Sequence, residues 1–191
     1  MKVTPTALPD VLLIELDEFP DERGFFVERY HEERFAKLGL PTAWRQDNHS
    51  RSRRGVLRGL HFQLRRPQGK LISCVAGSVF DVAVDVRVGS PTFGKWVGVT
   101  LSGDKAQLLW IPPGYAHGLL AVSEQADVIY KCTELYAPAD ERGILWSDPD
   151  LQIQWPVSGP ILSERDRRLP MLSETRDLPQ FTEGAVRETA R

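Results

Sequence analysis

Residues 79–87 read V-F-D-V-A-V-D-V-R, a period of two that no helix accommodates. In an extended chain Phe80, Val82, Val84 and Val86 point to one side, and Asp81, Ala83, Asp85 and Arg87 to the other. Val11 to Leu16, Phe25 to Tyr30, Trp96 to Leu101, Gln107 to Ile111, Leu119 to Val122 and Asp127 to Thr133 are further short runs rich in apolar residues, bounded by turn formers such as Gly, Pro and Ser. The best helix candidate, Glu32 to Leu38, is too short to form a layer of a core. Many short strands with closely spaced turn signals predict an all-β sandwich, jelly roll or barrel. At 191 residues, with no internal repeat or linker, the chain suits one domain, here taken as 1–175. From about Arg167 it turns polar and reads as a loosely packed segment, with a polar tail over 176–191.

Charge is nearly balanced: 24 Lys and Arg against 26 Asp and Glu, a formal net charge of −2. That argues against bulk nucleic-acid binding, while leaving room for a local basic site for a small anion. No apolar run approaches the roughly 20 residues of a membrane helix. The opening MKVTPTALPD has no apolar stretch of the secretory type. Cys74 and Cys132 cannot make a disulfide framework and match no zinc spacing, so both read as buried free thiols. The expectation is a soluble cytoplasmic protein.

One hairpin is suggested. Lys70 to Ala76 and Val79 to Arg87 flank Gly77-Ser78, and glycine at the first turn position suits a two-residue turn. Position 74 would then pair with 81, 72 with 83 and 70 with 85. Lys70, Cys74, Asp81 and Asp85 would share one face, for which solvent is slightly favoured over the interior.

Two stretches carry chemistry. In G-V-L-R-G-L-H-F-Q, residues 55–63, His61 and Gln63 have the same parity, and a bulge at Gly59 would turn Arg58 to their side. In P-P-G-Y-A-H, residues 112–117, a rigid turn delivers His117 to the start of a strand. A lone histidine in either place is more often structural than functional; two strands bringing polar groups beside glycine-rich turns shift that balance. The two stretches resemble the halves of the cupin signature, which implies a jelly roll, or double-stranded β-helix, with short helices and N-terminal strands. Gln63 stands where cupins have a second metal-binding histidine, and no carboxylate follows soon after; Arg65, Arg66 and Lys70 do. Arginine and lysine are not metal ligands at neutral pH, so no metal and no cofactor is expected, with a fixed cation in the metal's place.

A closer resemblance rests on ordered motifs. D-E-R-G-F-F-V-E (21–28), Q-D-N-H-S (46–50), V-L-R-G-L-H-F-Q (56–63), Q-G-K-L (68–71), F-D-V-A-V-D-V-R (80–87), S-P-T-F-G-K-W-V-G-V (90–99), the P-P-G-Y-A-H-G turn, Y-K-C-T (130–133) and L-S-E-R-D (162–166) are similar to those of the dTDP-4-dehydrorhamnose 3,5-epimerase family. The resemblance spans about residues 1 to 175.

It implies an isomerase that inverts C3 and C5 of dTDP-4-dehydro-6-deoxy-D-glucose to give dTDP-4-dehydro-L-rhamnose, in dTDP-L-rhamnose biosynthesis. Protons beside the C4 ketone are acidic because the carbonyl takes up charge as an enolate, so the chemistry needs a base, an acid and a positive group at the oxygen. By resemblance His61 is the base, Asp166 its partner, Tyr130 the acid and Lys70 the cation facing the enolate, with Asp81 and Asp85 as possible partners for the amine. His117 would lie near the sugar. Arg23 and Arg58 would contact the pyrophosphate, Gln46 and Asn48 the nucleotide, and Phe26 and Tyr136 the base, with Glu28 also at the substrate. Arg165, before Asp166, departs from a common lysine. The family also implies a homodimer with exchanged N-terminal strands, which would put Arg23 in the neighbouring cavity. The alternatives are a mono-epimerase acting at C3 or C5 alone on a related keto sugar, a non-catalytic cupin, and a metal-dependent oxygenase.

Overall fold

The computed structural model describes residues 1–182. It is a jelly roll of two antiparallel sheets. The six-stranded sheet has the order β1 (Lys2–Pro5), β2 (Leu12–Glu15), β10 (Gln107–Ile111), β7 (Lys70–Ala76), β12 (Gln125–Cys132), β5 (Gln46–Arg53). The five-stranded sheet has the order β13 (Glu141–Gly143), β6 (Leu57–Gln63), β11 (Tyr115–Ala121), β8 (Ser78–Asp85), β9 (Trp96–Ser102). A separate hairpin, β3 (Glu18–Asp21) and β4 (Gly24–Val27), and two short helices, α1 (Glu32–Lys37) and α2 (Glu164–Arg167), complete the chain.

From β5 to β8 the chain changes sheet at every step. The expected β7–β8 hairpin is therefore absent: β7 pairs with β10 and β12, and β8 with β11 and β9. Gly77 is the crossing point. Its φ is +68°, and a Cβ there would lie 2.0 Å from the Gln125 carbonyl oxygen, so only glycine fits. Gly77 turns the chain between the sheets, not back along one.

Both faces of β8 are buried, which corrects the solvent assignment for its polar side. Ala83 and Val79 join Ile72, Cys74, Leu109 and Val128 between the sheets. Val82, Val84 and Val86 face outward but are covered by Ile144, Leu151 and Leu172 from the segment after β13. On the other side, Phe35 of α1 and Leu40 cover Leu71, Leu108 and Trp110. Because each sheet is sealed outside by its own layer of apolar side chains, the space between the sheets is free to be polar at one end.

The segment beyond Arg167 does not pack as loosely as its polarity suggests. Leu172 is buried and its N–H donates to Asp148 Oδ2 at 2.6 Å. Gln180 bridges to Val88, and the Phe181 ring lies 5.1 Å from the buried Arg87 guanidinium. Of the tail expected over 176–191, residues 183–191 lie outside the described ones.

Candidate active site

A cavity of about 430 Å³ opens at one end of the roll, lined by both sheets. Strand β6 contributes Arg58, His61 and Gln63, and β11 contributes His117. Strand β7 contributes Lys70, β12 Tyr130, and β5 Gln46 and Asn48. Tyr136, Glu141, Arg165 and Asp166 close the rim. Arg58 reaches the cavity from the wrong parity because β6 bulges: His61 pairs with His117 but Arg58 with Leu119, three residues against two. The bulge sits at Gly59, whose φ is +123° and whose absent Cβ would come 2.5 Å from Gly118 Cα.

Two histidines on neighbouring strands each hold a carboxylate. His61 Nε2 lies 2.7 Å from Asp166 Oδ1. Burial pushes the Asp166 carboxyl up, but the hydrogen bonds from His61 and the Ser163 hydroxyl outweigh it and hold the group below its ordinary range. An ionised carboxylate only accepts, so Nε2 is the donor in this pair, and in the neutral ring the lone pair is on Nδ1. Nδ1 is 3.9 Å from Glu141 Oε1. His117 Nε2 lies 2.9 and 3.0 Å from the two oxygens of the fully buried Asp81.

Asp81 is thus the partner of His117, not of Lys70. Asp85 is further removed: it accepts from Arg87, Ser90 and Thr92, and Arg87 Nη2 also donates to Tyr115. Lys70 makes no ion pair among the described residues. Burial pulls its ammonium below the ordinary lysine value, with Cys132, Glu141 and Asp81 opposing in part. Burial likewise pushes the Tyr130 phenol up, which Arg58 partly offsets. Ala126, Val128 and Cys132 share its face of β12 and keep its surroundings apolar.

The side-chain amide of Gln63 is held by backbone groups. Its Nε2 donates to the carbonyls of Arg66 (2.7 Å) and Leu135 (3.2 Å), and its Oε1 accepts from Ala137 N (2.8 Å). All three hydrogen bonds of that amide go to backbone groups. Among the described residues no group of three or more His, Cys, Asp or Glu side chains is placed to hold a metal ion.

Three expected site residues lie elsewhere. Arg23 and Phe26 are exposed on the β3–β4 hairpin, Arg23 bound to Asp21, and Glu28 pairs with Arg34 at 3.1 Å. None lines the cavity of its own chain. One residue that sequence reasoning did not single out is central. Glu141 accepts from the Tyr136 hydroxyl at 2.8 Å and from Arg165, while facing His61. It stands on a three-residue strand with no period to reveal it.

The sequence profile of dTDP-4-dehydrorhamnose 3,5-epimerase matches residues 5–174. The chain belongs to this epimerase family. The dTDP-4-dehydrorhamnose 3,5-epimerase of Pseudomonas aeruginosa is 54% identical over 170 residues, covering 88% of this chain and 94% of that one. The crystal structure of the 3,5-epimerase from Legionella pneumophila, in complex with dTDP-4-keto-L-rhamnose, superposes with a TM-score of 0.92 at 46% identity. It covers 95% of this chain and 98% of its own. A dTDP-4-dehydrorhamnose 3-epimerase of Streptomyces niveus is 42% identical, over 93% of this chain and 86% of that one. Membership in the epimerase family makes the chain an isomerase of nucleotide sugars. No helix among the described residues is long and apolar enough to cross a membrane.

Proposed function

We propose that this protein inverts C3 and C5 of dTDP-4-dehydro-6-deoxy-D-glucose, giving dTDP-4-dehydro-L-rhamnose in the cytoplasmic synthesis of dTDP-L-rhamnose. The observation that carries the reading is an imidazole with one nitrogen committed to a carboxylate and the other free, in the same cavity as a buried amine and a buried phenol. His61 Nδ1 takes the proton next to the ketone, and Asp166 stabilises the imidazolium that forms. Lys70 faces the oxygen on which negative charge develops; its depleted solvation makes that interaction stronger than it would be in water. Tyr130, protonated at neutral pH, returns a proton from the opposite side. His117, held by Asp81, lies beside the sugar. Arg58 serves the pyrophosphate, and Gln46, Asn48 and Tyr136 the nucleotide.

The active unit in this reading is a homodimer with exchanged N-terminal strands. Phe19, Phe25 and Phe26 are each more than half exposed on the β3–β4 hairpin, an apolar surface a second copy would cover. The partner's cavity is then the place where Arg23, Phe26 and Glu28 meet substrate.

Incubation with the keto sugar nucleotide in deuterated water tests the reading. Deuterium is expected at both C3 and C5, and His61→Asn is expected to lower its uptake about 10²-fold or more. Label at C3 alone would move the protein to the 3-epimerase activity named for its Streptomyces niveus relative. No label with the wild-type chain would end the epimerase reading.

A further inference from the structure

Tyr136 stands at the cavity mouth with 47% of its surface exposed, yet its loop is held at three consecutive residues. The Leu135 carbonyl accepts from Gln63 Nε2, Tyr136 N donates to Gln46 Oε1 at 2.7 Å, and Ala137 N donates to Gln63 Oε1. Gln63 is only 3% exposed, so an unmade bond in that amide would be costly. The same residue also fixes the other end of the loop's outward contact. Its backbone pairs with that of Glu141 across β6 and β13, and Glu141 accepts from the Tyr136 hydroxyl. Gln63 therefore closes a ring: amide to loop, loop to phenol, phenol to Glu141, Glu141 back to the Gln63 backbone. Glu141 in turn faces the free nitrogen of His61.

We infer that Gln63 is a positioning residue for nucleotide binding, which presets the Tyr136 ring and the Glu141 carboxylate before substrate arrives. The inference rests on the reading that the cavity takes a dTDP sugar. A side chain already ordered in its bound pose loses less freedom on binding, so the clamp contributes affinity through the ring that it holds in place.

The test is a double-mutant cycle read by dTDP affinity, with thermal melting recorded for every variant. Gln63→Met keeps the volume and removes all three bonds; it is expected to weaken dTDP about tenfold. In a Tyr136→Ala background the same substitution is expected to change affinity less than twofold, because the ring it positions is gone. Gln63→Glu, which keeps the acceptor for Ala137 N but loses both donors, provides a second variant if Gln63→Met does not fold, with weakening and the same loss of effect without Tyr136 expected. Unchanged affinity with a lowered melting temperature would make Gln63 merely structural and overturn the inference. An equal tenfold loss in both backgrounds would overturn it too, since Gln63 would then act without Tyr136. A wild-type protein that ignores dTDP would instead remove the functional reading beneath it.

Discussion

Lys70 shows how one residue's role depends on what surrounds it. A lysine on a strand ordinarily sits in water; here it enters a cavity where the carboxylates that act on it already have partners, Asp81 with His117 and Glu141 with Tyr136 and Arg165. Its charge is left for a ligand, and burial makes it easier to lose. In the proposed role Lys70 acts while protonated, so an alkaline limit on activity is expected below the ordinary lysine value of 10.5. In the pH dependence of kcat the alkaline limb is expected to move upward in Lys70→Arg, since guanidinium stays charged, while Lys70→Met is expected to cost about 10²–10³ in kcat. A limb that does not move in Lys70→Arg would assign it to Tyr130 instead. His61 and Asp166, 105 residues apart, show the limit of reading at this scale. Nothing in periodicity joins them; only resemblance to a family did. Glu141 escaped both routes, because a carboxylate in a loop-rich stretch has no pattern to set it apart.

At the scale of elements, alternation was legible and pairing was not. The strand over 79–87 was plain in the sequence because apolar side chains repeat every second residue, and those over 96–101 and 107–111 as short apolar runs between turn residues. Strand β5 was not, since its Gln-Asp-Asn-His-Ser-Arg-Ser-Arg has one buried position and faces the cavity or solvent elsewhere. The β7–β8 turn was misread because a glycine at φ +68° serves a sheet crossing as well as a hairpin, and only distant partners decide between them. The β6 bulge is the element on which the site depends most, for it brings Arg58 and His61 to one side. Gly59→Ala would drive a Cβ against Gly118 Cα and the His117 carbonyl, 2.7 Å away. Overpacking and an unfavourable φ together are expected to cost about 3 kcal/mol or more in urea unfolding. Activity is expected to fall further than that loss explains, because His61 pairs directly across the bulge. A variant as stable as wild type would show that β6 tolerates a regular register.

For the whole molecule the question is where the β3–β4 hairpin belongs. Three exposed phenylalanines on a hairpin that pairs with neither main sheet are unfavourable in an isolated chain. The same hairpin carries Arg23, a substrate residue by resemblance that does not reach its own cavity. The proposed exchange between two subunits would account for both facts, and mixing variants decides it. His61→Asn and Arg23→Ala subunits, each impaired alone, are unfolded together and refolded. If Arg23 acts in the partner's cavity, each mixed dimer has one site with His61 from one chain and Arg23 from the other. Random pairing makes about half the dimers mixed, so activity is expected to recover to about a quarter of wild type. If Arg23 serves its own chain, every site keeps one defect and mixing restores nothing. Size-exclusion chromatography of Phe19→Ser/Phe26→Ser runs alongside. A monomer is expected there, and an intact dimer would place the contact elsewhere on the surface even if the mixed subunits recover activity.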